Sequence, residues 1–244
     1  EKTFSKTIAF LVSGVTKLGT LKYRGMDRHV ENLRKMFLAM AKDIRVIFIK
    51  LADRLHNMQT LGHLPNRKHE RIARETLEVY VPIADRLGIG ELRGPLEDLA
   101  FEYVHPQEYA WLKSERSQLY ERTEKHLTKL KPLIETALRK ENITLHSVHS
   151  RTKHYYSLYK KLQKYDMDFS QIYDIAALRI IVETVEECYE TLGVIHQLFK
   201  PLPTRIKDYI AVPKPNGYQS LHTTVISDGH ITEIQIRTQI MHDE

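Results

Sequence analysis

The chain has 244 residues, and its 42% apolar content is enough for two small hydrophobic cores. A formal net charge of +6 favours an acidic ligand, either nucleotides or RNA. The single cysteine excludes an internal disulfide, and no apolar run reaches the roughly 20 residues of a membrane span. We expect a cytoplasmic protein without membrane contact; no signal peptide is recognisable, although a chain that starts downstream of one would have lost it.

The first segment with chemical content is KLADRLHNMQTL, at residues 50–61. On a helix, Asp53, Asn57 and Thr60 would share one face. Asp53 and His56 have the i, i+3 spacing from which a metal could be ligated, but two ligands make a poor site. An ordinary polar face on a packed helix explains this spacing equally well.

Two further helices are predicted downstream. Pro95 is compatible with the first turn of a helix that follows it. Residues 113–142 are rich in charges of both signs and carry leucine and isoleucine at helical spacing, which predicts a helical connector between two domains.

Residues 151–162 also have helical periodicity. One side forms an apolar stripe, made of Tyr155, Leu158, Tyr159 and Leu162. Along another side a residue able to contact phosphate recurs every four positions, as Lys153, Ser157 and Lys161. With Arg151 at the helix entrance, this side could hold a polyphosphate, while a solvated basic face is the alternative.

The next element is the apolar run 175–182, whose length and Ile/Val content predict a buried strand. Asp174 immediately precedes it. This carboxylate is either a turn residue at the start of the strand or a metal ligand.

Residues 200–224 form a basic segment. The segment contains one carboxylate, Asp208, and four cations, so a largely unpaired positive field surrounds a Pro-Asn-Gly turn at 215–217. The cations are Lys200, Arg205, Lys207 and Lys214. Such a field attracts phosphate, and Tyr218 beside it could stack on a purine base. A basic hairpin on a solvated surface is the alternative.

The last predicted strand, 232–238, alternates strictly. Ile234 and Ile236 would face a core, and Glu233, Gln235 and Arg237 the opposite side. A carboxylate beside bound phosphates needs a cation, so Glu233 together with Asp174 would suit Mg²⁺, which takes its other ligands from water and phosphate. The alternative for Glu233 is a solvated strand face.

These motifs occur in a recognisable order: RxKxxxSxxxK at 151–161, YD at 173–174, RIKD at 205–208, NGYQSLHT at 216–223 and EIQIRT at 233–238. The pattern resembles the synthetase domain of RelA/SpoT-type alarmone enzymes, and KLADRLHNM at 50–58 is similar to the last motif of the HD-type (p)ppGpp hydrolase that precedes it in long members. The resemblance implies an α+β protein. An all-helical hydrolase remnant would occupy 1–112, the connector 113–142, and a nucleotidyltransferase-like mixed-sheet synthetase domain 143–244.

The resemblance implies transfer of the pyrophosphate of ATP to the ribose 3′-hydroxyl of GTP or GDP, giving AMP and (p)ppGpp. ATP would be held by Arg151, Lys153, Ser157 and Lys161. The guanine nucleotide would be held by Arg205, Lys207, Lys214, Asn216, Tyr218 and His222, with Tyr218 stacked on the base. Asp174 and Glu233 would bind Mg²⁺, and Glu233 would also be the base for the 3′-hydroxyl.

In the hydrolase, Asp53 would be a Mn²⁺ ligand, and Asn57 and Thr60 would contact the nucleotide. No His-Asp pair precedes Asp53 in this chain, so we expect no (p)ppGpp hydrolysis from it, although a longer parent would hydrolyse with Mn²⁺. Contacts with the ribosome and tRNA are expected only through regulatory domains that these residues do not include.

Two alternatives remain open. The first is a catalytically silent module that senses nucleotides or docks on the ribosome, although the apparent metal carboxylates argue against it. The second is a nucleotidyltransferase acting on RNA, which would carry two closely spaced carboxylates on one strand. The pair nearest to Asp174 is Asp166 and Asp168, which we expect in a loop.

Overall fold

The structure is a computed structural model that describes residues 5–19, 43–169, 172 and 175–243. It contains two compact units, Glu1–Pro106 and Gln107–Glu244, here called the helical unit and the sheet unit. A helical part followed by a mixed sheet with helices confirms the expected α+β class. None of the helices in these ranges is long and apolar enough to cross a membrane.

The helical unit contains α1 (Lys6–Gly19), α2 (Arg45–Gln59), α3 (His69–Glu75), α4 (Val81–Arg86) and α5 (Gly90–Val104). Short 3-10 turns at Leu61–His63 and Asn66–Lys68 follow α2, and a π-helical turn at Thr76–Tyr80 joins α3 to α4. The apolar side of α2 enters the core through Leu51 and Met58, so the helix predicted at 50–61 is confirmed up to Gln59.

The prediction that Pro95 opens a helix is wrong, because α5 begins five residues earlier. The amides of Leu92 and Arg93 already donate to the carbonyl of Ile89, at 3.2 and 3.0 Å. Pro95 therefore lies inside the helix and removes one of its backbone hydrogen bonds.

The sheet unit contains α6 (Pro106–Lys140), β1 (Leu145–Thr152), α7 (Tyr155–Leu162), β2 (Ala176–Val182), α8 (Val185–Leu198), β3 (Lys200–Pro201), β4 (Lys207–Asp208), β5 (Leu221–Ser227), β6 (His230–Thr238) and α9 (Gln239–Asp243). The strand order is β1-β2-β6-β5-β3, and β4 pairs with β5. Only β2 and β6 are parallel among the paired strands described. The strands predicted at 175–182 and 232–238 are both confirmed.

One face of this sheet carries the hydrophobic core. Ile180, Ile234 and Ile236 are fully buried there against α6 and α8. The leucines and isoleucine at helical spacing in 113–142 form the side of α6 that packs on this face: Leu127, Leu130, Ile134 and Leu138. This packing leaves the opposite face of the sheet for polar residues.

The helix predicted from Arg151 begins only at Tyr155. Arg151 and Thr152 belong to β1, and the Lys153 amide extends the pairing with a 3.0 Å hydrogen bond to the Ile175 carbonyl. The ladder with β2 holds this backbone extended, so Lys153 does not share a helical face with Ser157 and Lys161. The predicted apolar stripe is otherwise present, since Leu158, Tyr159 and Leu162 are buried.

Candidate active site

Strand register places polar residues from distant parts of the chain side by side on the face opposite the core. Paired positions project to the same side of a sheet. One row, crossing four strands, contains Arg151, Ala177, Glu233 and Thr224. The next row, crossing five, contains His149, Arg179, Gln235, His222 and Lys207. Candidate residues separated by more than 80 positions in sequence thus become neighbours.

Glu233 lies at the centre of this polar face with 19% of its side chain exposed. The Gln235 amide donates to its Oε1 at 2.8 Å, and His222 Nδ1 lies 3.4 Å from the same oxygen. Burial alone would raise the pKa of Glu233, but His222, Gln235 and the positive charge of Lys153 lower the pKa to about 2. The carboxylate is therefore ionised at any physiological pH, and the solvated strand face considered above is excluded.

The carboxylate chemistry of Glu233 fits a divalent cation, because a hard oxygen ligand beside phosphates is what Mg²⁺ requires. The second predicted ligand, Asp174, lies outside the described residues. Within the described ranges, no group of three or more His, Cys, Asp or Glu side chains is close enough together to hold a metal.

The Pro-Asn-Gly turn presents an aromatic and cationic cluster. Gly217 adopts a positive φ of 82°, and the Asn216 side-chain oxygen accepts from the Tyr218 amide at 3.3 Å. Lys214 Nζ lies 4.7 Å from the centre of the Tyr218 ring and 4.6 Å from that of Tyr209. The turn thus brings a cation and an aromatic platform together, as the sequence predicts, while Asn216 helps to form the turn itself.

The RIKD segment places its cations at the edge of this cluster. Arg205 and Lys207 are exposed, and β4 pairs Lys207 with His222. Asp208 stabilises the following turn: its Oδ1 accepts from the amides of Ile210 and Ala211 at 2.9 and 2.8 Å. Its Oδ2 accepts from the Tyr189 hydroxyl at 2.9 Å. Asp208 therefore has a local structural role beside the exposed cations.

Two of the predicted ATP residues, Arg151 and Lys153, lie on the other side of Glu233. Arg151 Nη1 donates to Gln235 Oε1 at 3.2 Å, and Lys153 is close enough to lower the pKa of Glu233. Ser157 and Lys161 are half-buried on α7, four residues apart and hence on one side of that helix. Lys153 belongs to the extended backbone before α7 and therefore does not continue this side of the helix.

Two arginines of the site were not predicted as site residues. Arg237 is 4% exposed; its Nη2 donates to the Tyr218 hydroxyl oxygen at 2.5 Å, and its Nη1 to the Met241 carbonyl at 3.3 Å. Burial, followed by repulsion from Arg237 and Arg151, lowers the pKa of Arg179 to about 10. Three guanidinium groups, those of Arg151, Arg179 and Arg237, thus lie near one another on the polar face. Arg179 had a signal in the sequence, as the one charged residue in an apolar strand.

The predicted residues of the hydrolase motif are only partly in contact with one another. Asp53 accepts from Lys50 Nζ at 3.1 Å and from Asn57 Nδ2 at 3.3 Å on the exposed side of α2. The Thr60 hydroxyl instead donates to the His56 carbonyl at 2.9 Å.

Asp166 and Asp168 lie in the turn after the 3-10 segment Gln163–Tyr165, so the expectation that they form a loop rather than a strand pair is confirmed.

Comparison with known proteins identifies two regions. Residues 150–244 match the family model described as a region found in RelA / SpoT proteins, and residues 1–90 match the HD domain model. Residues 150–244 belong to the RelA/SpoT family. The resemblance inferred from the five synthetase motifs and the KLADRLHNM motif is thereby confirmed.

The chain with this RelA/SpoT region is 50% identical to a probable guanosine-3′,5′-bis(diphosphate) 3′-pyrophosphohydrolase from Synechocystis sp., over 99% of this chain and 32% of that protein. It is 48% identical to a GTP pyrophosphokinase from Myxococcus xanthus, over 98% of this chain and 32% of that protein. Among solved structures, it is similar to a GTP pyrophosphokinase family protein from Streptococcus pneumoniae. That similarity has a TM-score of 0.44 and 25% identity, and covers 53% of this chain and 72% of that one. The chain spans about a third of the length of the curated relatives it matches.

Proposed function

We propose that the sheet unit is a pyrophosphokinase that transfers the pyrophosphate of ATP to the ribose 3′-hydroxyl of GTP or GDP. A bond forms between the 3′-oxygen and the β-phosphorus of ATP, the bond between that phosphorus and the oxygen bridging to the α-phosphorus breaks, and AMP leaves. Family membership supports this reaction. The observation that carries it is the position of Glu233, which is linked through Gln235 to Arg151 on the proposed ATP side and through His222 to Tyr218 on the proposed guanine side.

Each side chain has a proposed role that rests on the resemblance of its motif to the family. Arg151, Lys153, Ser157 and Lys161 bind ATP, and the cations of the basic segment, Arg205, Lys207 and Lys214, bind phosphates of the acceptor. Tyr218 stacks on guanine, while Asn216 and His222 shape its surroundings. Transfer through a loose transition state depends mainly on positioning and charge neutralisation, which these groups supply.

Glu233 is proposed to orient the attacking hydroxyl and to receive its proton. In a loose transition state the attacking hydroxyl gains acidity only as the new phosphorus–oxygen bond forms, so we place proton transfer late. Mg²⁺, held by Glu233 and Asp174, would neutralise charge on the phosphate oxygens. Among the described residues the printed contacts of Glu233 are made by Oε1, which makes Oε2 suitable for this ligand role.

The wider biological setting is also a proposal. The relatives are about three times as long as this chain, and we assign ribosome and tRNA contacts to regulatory regions other than these residues. A cytoplasmic location is supported by the single, buried cysteine.

The direct test is incubation of the purified chain with ATP, Mg²⁺ and either GTP or GDP, followed by separation of the nucleotides by anion exchange. The expected products are AMP with pppGpp or ppGpp. Absence of both products, while ATP and GDP still bind by calorimetry, would contradict the enzyme and favour a nucleotide-sensing module.

A further inference from the structure

A continuous series of polar contacts runs from a buried arginine to the central carboxylate. Arg237 Nη2 donates to the Tyr218 hydroxyl oxygen at 2.5 Å, and this oxygen lies 2.9 Å from His222 Nε2. On the other side of the imidazole, Nδ1 lies 3.4 Å from Glu233 Oε1. Arg237, Tyr218 and His222 thus connect the proposed base-stacking platform to the proposed catalytic carboxylate.

The direction of each hydrogen bond in this series follows from the chemistry of the groups. A guanidinium has only N–H donors, so the phenol oxygen accepts from Arg237. Across the described part of the chain, the Tyr218 hydroxyl has no other acceptor than His222, so its O–H donates to Nε2. The ring proton of neutral His222 is then on Nδ1, facing Glu233. The opposite tautomer would direct a lone pair at a carboxylate and leave the phenol proton without an acceptor.

A second series reaches the same carboxylate from the opposite side. Arg151 Nη1 donates to Gln235 Oε1, and Gln235 Nε2 donates to Glu233 Oε1. The two series therefore end on one oxygen atom. The other, Oε2, has no hydrogen-bond partner in the ranges that the structure describes. The two carboxylate oxygens are thus in different environments: one is held by the protein and the other is available to a ligand.

We propose that Arg237 and the Tyr218 hydroxyl are positioning residues. They fix the Nδ1–H tautomer of His222, which holds Glu233 Oε1 so that Oε2 faces the reacting hydroxyl and its cation. Tyr218 then has two separable tasks, since its ring stacks on the guanine base and its hydroxyl orients the carboxylate through His222. This inference rests on the proposed synthetase reaction for its kinetic consequence, but the tautomer does not depend on turnover.

The test uses Tyr218→Phe, which keeps the ring and removes the hydroxyl. ¹⁵N–¹H correlation spectra of the imidazoles, with His222 assigned from a His222→Gln variant, report which ring nitrogen carries the proton. In the unmodified chain we expect it on Nδ1, and in Tyr218→Phe we expect a shift towards Nε2–H. Tyr209→Phe is the matched control: its ring lies 5.2 Å from that of His222, and the described residues show no hydrogen bond to its hydroxyl, so the tautomer should not change.

Steady-state kinetics of the same variant, which give kcat and KM, provide the second measurement. Tyr218→Phe should lower kcat about 10- to 100-fold, as loss of an outer positioning partner does, with little change in the KM for GDP, because the stacking ring is intact. A thermal melt close to that of the unmodified chain excludes a folding defect. Arg237→Met frees the phenol oxygen to accept a proton from Nε2, so it should shift the tautomer in the same direction but less than Tyr218→Phe does.

Several results would overturn the proposal. One is a proton on Nε2 in the unmodified chain. Another is a Tyr218→Phe variant in which the tautomer changes but kcat does not, or kcat falls while the tautomer is unchanged. If the unmodified chain makes no (p)ppGpp, the proposed function fails, and the spectra alone decide whether Tyr218 sets the His222 tautomer.

Discussion

Asp53 and Glu233 are both carboxylates in motifs of one family, yet their surroundings differ sharply. Asp53 lies on the outside of α2 with 47% of its side chain exposed, and its partners Lys50 and Asn57 come from the same helix. Glu233 is 19% exposed, and its partners come from β5 and β6, with Arg151 of β1 one contact further away.

The difference follows from secondary structure. A helix brings together residues three or four positions apart, so its motif supplies a few ligands and needs other elements to complete a site. A sheet brings together whatever its register aligns, and four strands supply the neighbours of Glu233. Glu233 therefore depends on contacts from more elements than Asp53 does, and substitutions around it should have the larger effects on activity.

The largest effect is expected for Glu233→Gln, which should lower (p)ppGpp synthesis by 10³-fold or more, on the order of the loss of a preorganised group at the reacting centre. The amide preserves size and removes the charge, so the fold should persist. Production of AMP from ATP and GDP gives the rate, and circular dichroism checks the fold. As the matched control, Asp53→Asn should leave synthesis unchanged. Near-normal synthesis by Glu233→Gln would remove this residue from the mechanism.

An intermediate effect is expected on α7, where two adjacent lysines provide a matched pair. Lys161→Ala should reduce kcat/KM for ATP on the order of 10²-fold, because a phosphate contact is lost. Lys160 Nζ lies 4.6 Å from the centre of the Tyr156 ring and has no proposed phosphate contact, so Lys160→Ala should have a small effect. Initial rates at varied ATP concentration distinguish them. Equal losses would indicate a general effect of positive charge on this helix.

A smaller effect concerns stability in the sheet unit. His126 is 7% exposed, and its ring stacks on His230 at 4.4 Å. Burial, and then the charges of His230 and Lys129, lower the pKa of His126 below the ordinary 6.5. The unfolded chain therefore binds this proton more readily, so the stabilisation is complete above about pH 6.5 and declines as the pH falls through the folded pKa.

Denaturant unfolding at about pH 8 and about pH 5.5 measures this contribution. His126→Phe should retain a stacked ring and lose part of the acid sensitivity. A variant whose free energy of unfolding falls with acid as steeply as that of the unmodified chain would show that His126 does not contribute.

The last prediction concerns hydrolysis of ppGpp, for which no activity is expected. With Mn²⁺ and ppGpp, residues 1–244 should release no pyrophosphate, since the described partners of Asp53 are a lysine and an amide rather than further metal ligands. Asp53→Asn should give the same background. Pyrophosphate release above that background would show that the helical unit completes a metal site around Asp53.

Much of this arrangement was accessible from the sequence, for identifiable reasons. The period of two at 232–238 predicted which residues of β6 face the core and which share a side with Glu233, and the apolar run at 175–182 predicted a buried strand. The prediction is wrong at Arg151, because helical spacing predicts the start of a helix at a residue that pairs with β2 instead. A local pattern does not reveal a ladder formed with a strand more than 20 residues away.

The side-chain contacts within the site were harder to predict from the sequence. Arg237 and Tyr218 are 19 residues apart, and only the register between β5 and β6 brings the guanidinium to the phenol. Gln235 was assigned to the correct face, but its link to Arg151 depends on three strands being in register. Asp174, the other predicted metal ligand, lies outside the described residues and stays a prediction.

Cys188 has no second cysteine in the chain with which to form a disulfide. It is fully buried in the core between α8 and the sheet, and burial raises the pKa of its thiol to about 12. In the native state the thiol is therefore both shielded and protonated, so it resists alkylation. Since this is the single cysteine of the chain, its labelling rate records the opening of the core beneath the polar face, and a nucleotide that binds to and tightens the sheet would slow it without any engineered probe.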